Sequence, residues 1–121
     1  MKPFHVQLVA GTQQGLGIKF SDACSQLATI ARLHLELDGS FVWVGDSWQI
    51  DGMLYDRQEC LQYVDLKGCC PKTVWRALVD TLCTLDALPQ VISLPRSDLY
   101  DLQTFEDLVW SAGVQDADVA E

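Results

Sequence analysis

Residues 48–68 read WQIDGMLYDRQECLQYVDLKG, and the alternation inside this stretch decides the fold. Trp48, Ile50 and Leu54 share one parity, whereas Asp51, Met53 and Tyr55 share the other. A period of two marks a strand with two chemically different faces. After a polar turn at Asp56-Arg57-Gln58-Glu59 the pattern resumes over residues 60–67, with Val64 and Leu66 opposed to Leu61, Tyr63, Asp65 and Lys67. Two such runs across a short turn predict an antiparallel hairpin. That hairpin would bring Asp51 beside Asp65 and Lys67 on one face. A plainer reading stays open: Asp51-Gly52 is itself a tight turn, and Asp65 and Lys67 are the solvent half of an ordinary strand.

Working outward, FHVQLVA (residues 4–10) alternates Phe4, Val6 and Leu8 against His5 and Gln7 and predicts a strand. GTQQG is a turn, and LGIKF (residues 16–20) is expected to return as its hairpin partner. Ser21 is a plausible cap for a helix carrying Ala23, Leu27, Ile30 and Leu33 on one stripe. Leu33 to Leu37, then Asp38-Gly39, then Phe41 to Val44 predict a second hairpin. Pro71 fits the start of a helix through Cys83, and VISL (residues 91–94) reads as a short buried strand. Ser97 or Asp98 is expected to begin a last amphipathic helix through Trp110.

These elements predict an α+β protein, a mainly antiparallel sheet flanked by helices, in a single domain of 121 residues. Apolar residues make up 49% of the chain, enough for a real core. No apolar run is long enough to cross a membrane, and the N-terminus has no signal-peptide pattern. With an odd count of 5 cysteines, the expectation is reduced thiols and a cytoplasmic setting. Vicinal Cys69-Cys70 lacks the spacing of a zinc site, and His5 and His34 read as ordinary strand residues. The tryptophans fall mostly on apolar faces, as core residues do.

The formal net charge is −9, unfavourable for a broad phosphate-binding groove. Residues 97–121 carry Asp98, Asp101, Glu106, Asp107, Asp116, Asp118 and Glu121 and no Lys or Arg, so the acidity is concentrated there. An acidic C-terminal helix of this kind suits a basic protein partner, as in an immunity protein, adaptor or inhibitor. The edge of a small sheet also suits homodimerisation.

Two carboxylates on one face repel unless a cation intervenes. Mg²⁺ is commonly held by one or two carboxylates with water and phosphate completing its shell, and an ammonium nearby can steady developing charge. Asp51, then Asp65-Leu66-Lys67, set in Trp48…Asp51-Gly52…Cys60-Leu61…Asp65-Leu66-Lys67-Gly68, resembles the signature of the PD-(D/E)xK nuclease superfamily. It is most similar to the restriction-endonuclease-fold toxin domains of bacteria. The resemblance covers roughly residues 21–95 and implies an αβββαβ core. It also implies Mg²⁺ on Asp51 and Asp65, water activation assisted by Lys67, and phosphodiester hydrolysis of nucleic acid. Residues 1–20 would then be an added strand or hairpin, and residues 96–121 an acidic helix and tail. The sequence departs from the pattern in having no proline before Asp51 and no Glu in the helix at 21–33.

Overall fold

The computed structural model describes residues 1–111. Its strands are β1 (Phe4–Ala10), β2 (Leu33–Leu35), β3 (Ser40–Val44), β4 (Gln49–Arg57), β5 (Cys60–Cys69), β6 (Pro89–Ser93) and β7 (Asp98–Asp101). Its α-helices are α1 (Phe20–Leu27), α2 (Lys72–Leu82) and α3 (Leu102–Val109). The strands form one sheet of 7 in the order β2-β3-β4-β5-β1-β6-β7, and every neighbouring pair is antiparallel. The α+β class is therefore as the alternation predicts. Between α1 and α2 lie 4 strands, one more than the αβββαβ order.

Register explains the two-sidedness. Val6 stands opposite Leu66, Leu8 opposite both Val64 and Val91, and Val64 opposite Leu54. Directly paired residues share a face, so these side chains make one continuous apolar surface, all of it buried. Leu27 of α1, Trp75 and Leu78 of α2, and Phe105 of α3 pack on that surface. Gly52 lies inside an unbroken β4, because Phe41 is directly opposite and its ring occupies the space a Cβ would need. The turn reading of Asp51-Gly52 is thereby corrected.

The β4–β5 hairpin turns through Gln58-Glu59 alone, with φ of 52° and 71°. Positive φ at both central residues is the type I′ arrangement, which matches strand twist but is usually filled by Asn and Gly. Next to it, the register shifts between Tyr55 and Asp56. A bulge reverses side-chain parity locally. Leu61 is consequently buried, not on the face of Tyr63 and Asp65 as strict alternation from residue 60 to 67 predicts.

Three predicted elements are replaced. LGIKF does not pair with β1, whose two neighbours are β5 and β6. It runs beside the start of β5, where Leu16 N–H donates to the Leu61 carbonyl and Leu61 N–H to the Ile18 carbonyl, each at 2.9 Å. Helix α1 is entered from Lys19, with Ser21 inside it, and ends at Leu27. Thr29 closes the last turn with N–H and hydroxyl donation to the Gln26 carbonyl, so Ile30 and Leu33 leave the helical stripe. Finally, Asp98–Asp101 is strand β7 rather than helix, because it hydrogen-bonds the free side of β6. The Asp101 carboxylate then caps α3, accepting Thr104 N–H at 2.7 Å. That bond holds the Asp101 carboxyl below its usual range.

Helices α2 and α3 are fastened together by charge and aromatic packing. Glu106 is 4% exposed, and its Oε2 accepts Trp75 Nε1–H at 3.0 Å and Arg76 at 2.9 Å. The carboxylate raises the pKa of Arg76 in return. Trp75, Phe105 and Trp110 surround Phe4 with ring centroids 5.6–5.8 Å from it, tying both helices to the start of β1.

Glu106→Ala should cost about 2–4 kcal/mol in chemical denaturation, since it strands a buried indole N–H and a guanidinium. Glu106→Gln should cost less, by keeping an acceptor. Conversely, Gln58→Asn combined with Glu59→Gly should raise stability by about 1 kcal/mol, because those residues adopt positive φ without strain.

Candidate functional site

The described helices cover one face of the sheet, and Asp51, Asp65 and Lys67 of the central strands lie on the other. Lys67 on β5 stands directly opposite Asp51 on β4 and His5 on β1. Asp65 stands opposite Met53 and Gln7. The three residues singled out by sequence are therefore brought onto one face of neighbouring strands. Asp51 and Asp65 occupy diagonal positions, whose backbones are typically about 7–8 Å apart.

Their partners differ from the simple expectation of a trio. Asp65 Oδ1 lies 3.0 Å from His5 Nε2, a part-buried contact across 60 residues of sequence. Asp51 Oδ1 accepts a bond from Gln49 Nε2 at 3.0 Å. Lys67 forms no ion pair within 4.0 Å among the described residues. Each carboxylate thus has one oxygen occupied, and the ammonium is held by neither. No group of three His, Cys, Asp or Glu side chains converges for metal binding among the described residues. Two carboxylates remain sufficient for a largely hydrated Mg²⁺.

Beside the acids, Tyr55 and Tyr63 face each other across β4 and β5 and stack, with ring centroids 4.5 Å apart and planes 13° from parallel. Met53 and Val9 continue this half-buried surface inward, and Leu99 on β7 is 59% exposed. The face is a mixture of apolar, aromatic and charged groups carried on paired strands.

No family model, curated protein or solved structure matches this chain. What the face can do follows from its own side chains.

Sequence reasoning missed His5 as a partner of Asp65 and took it for an ordinary strand residue. Its parity placed it on the polar side of β1, but only the pairing of β1 with β5 shows what it meets. The acidic segment is also different from expectation. Within its described part, Asp101 caps α3, Glu106 is buried, Asp98 lies 3.4 Å from the Arg96 guanidinium, and Asp107 accepts from Gln103. Asp116, Asp118 and Glu121 lie outside the described residues. Of the tryptophans, Trp75 is fully buried, and Trp43, Trp48 and Trp110 pack against the core.

The cysteines have unlike surroundings. Burial pushes the Cys70 thiol up to about 12 and Cys83 to about 11, while Cys60 is exposed. A raised thiol pKa keeps the unreactive protonated form across the neutral range. In the native protein at about pH 8, thiol-reactive probes should therefore label Cys60 at least roughly a hundredfold faster than Cys70 or Cys83, as followed by peptide mass spectrometry.

Proposed function

We propose that the chain is a non-enzymatic binding module that docks a protein partner on the solvated face of its sheet. The observation carrying this reading is the one-sidedness of the fold: the described helices cover one face and leave a rigid, patterned one uncovered. Aromatic residues and methionine at the centre of a polar-rimmed patch are what protein interfaces select, because they bury area at low entropic cost. The stacked Tyr55–Tyr63 pair with Met53 supplies such a centre, and Asp51, Asp65 and Lys67 supply fixed charges around it. The overall charge of −9 favours a basic partner.

Affinity capture tests this with paired baits. A partner retained by the wild-type chain should bind Tyr55→Ala and Asp51→Arg at least about tenfold more weakly. It should bind the helix-side variant Asp80→Ala unchanged. Equal capture by all four baits overturns the reading.

The sharing of one face by Asp51, Asp65 and Lys67 favours a second reading, Mg²⁺-dependent phosphodiester hydrolysis. Here the free oxygens of Asp51 and Asp65 would hold the ion, and Lys67 would steady charge on an attacking water or phosphate. Binding of the ion to the folded state alone raises stability by RT ln(1 + [L]/Kd), an amount that grows with ion concentration above Kd. Millimolar Mg²⁺ or Mn²⁺ should then raise Tm, Asp65→Ala should abolish the rise, and single-stranded or duplex nucleic acid should be cleaved. An unchanged Tm with intact substrates eliminates this alternative.

A further inference from the structure

The tip of the β4–β5 hairpin and the GTQQG turn at residues 11–15 border a depression of about 450 Å³. Gln13, Gln14, Arg57, Gln58, Cys60 and Gln62 line it. The volume falls within the range of small-molecule sites, but those are mostly apolar, whereas four amides and a guanidinium dominate this wall. A ligand matched to such a wall is itself polar.

Backbone pairing builds the wall. Arg57 stands directly opposite Cys60 in the last pair before the turn, so the two share a side of the hairpin. Gln62, two residues further along β5, takes the same side, and Asp56, paired with buried Leu61, takes the other. The GTQQG turn is pinned beside them, because Leu16 N–H donates to the Leu61 carbonyl and Leu61 N–H to the Ile18 carbonyl. Gly15 has a φ of 78°, and a Cβ on it would come within 2.7 Å of the Leu61 oxygen and 2.9 Å of Gln62 Nε2. Glycine alone lets the turn sit this close, and Gln13 and Gln14 thereby share the depression with Gln62.

Charge and hydrogen-bonding capacity select the ligand. The chain has 17 Asp and Glu against 8 Lys and Arg, yet one Arg and no carboxylate of the described residues line this depression. Among the described residues Arg57 makes no ion pair within 4.0 Å. None of the four lining amides is hydrogen-bonded through its side chain among those residues either. A guanidinium takes a carboxylate bidentately. A Gln amide offers N–H donors and a carbonyl acceptor, and a hydroxyl, itself donor and acceptor, answers both. An anion without hydroxyls leaves those carbonyls unanswered. We propose that this depression binds a sugar carboxylate, with its carboxylate on Arg57 and its ring hydroxyls on Gln13, Gln14 and Gln62.

Glucuronate is the probe. In an NMR titration of the full chain at neutral pH, it should saturably shift the Arg57 backbone amide and the side-chain amides of Gln14 and Gln62, with a Kd of roughly 1 mM for a ligand of this size. Glucose, which lacks the carboxylate, and cyclohexanecarboxylate, which lacks the hydroxyls, should each bind at least about fivefold more weakly. Arg57→Gln, and separately Gln14→Ala combined with Gln62→Ala, should each weaken glucuronate binding by at least about fivefold. Arg57 and Gln14 are exposed and Gln62 is half-buried, and an unchanged spectrum away from the site verifies that the variants fold. Absence of saturable shifts overturns the proposal, as does saturation elsewhere on the molecule. Affinity for glucose or for cyclohexanecarboxylate equal to that for glucuronate overturns it as well.

Discussion

The register of β5 between β1 and β4 is the constraint on which the molecule depends. Val64 and Leu66 meet Leu8 and Val6 on one side, Leu54 and Gly52 on the other. A slip of one residue would turn both apolar side chains to water and drive Asp65 and Lys67 into the core. Desolvating those charges costs far more than any strand–strand contact returns. The same alternation that closes the core therefore fixes the charged groups on the outer face. Gly52 reinforces it, since the Phe41 ring lies where a side chain would stand.

The second organising element is the fastening of the helices. Trp75, Phe105 and Trp110 converge on Phe4, and Glu106 joins Trp75 to Arg76 from the opposite helix. A buried carboxylate is tolerable when its oxygens receive charge-assisted hydrogen bonds. This arrangement spends one of the C-terminal acids inside the fold rather than on its surface. It also positions α3 against the start of β1, through the packing of Phe105 and Trp110 on Phe4. Core and surface chemistry are thus set by the same few contacts.

The outer face carries groups that no described helix satisfies. Some of its charges are already answered locally, Asp65 by His5 and Asp51 by Gln49, which orients the side chains before any partner arrives. Preorganised groups lose less entropy on binding than free ones. Such a surface suits recognition, and the alignment of Asp51, Asp65 and Lys67 is what keeps a hydrolytic alternative in view.

How much of this was legible in the sequence depends on the range of the interaction. Residues 48–68 determined a two-faced hairpin and the common face of Asp51, Asp65 and Lys67, because side-chain parity is local to a strand. The Asp38-Gly39 turn and the helix after Pro71 were legible for the same reason: their backbone preferences are carried by adjacent residues. Tertiary structure alone decided that His5 would meet Asp65, that Glu106 would be buried, and that Asp98–Asp101 would become a strand. Each outcome depends on a partner distant in the chain: β5 for His5, α2 for Glu106, β6 for β7. Local propensity has no term for such a partner, and an edge of unpaired backbone groups on β6 outweighs the helical pattern of the sequence beside it.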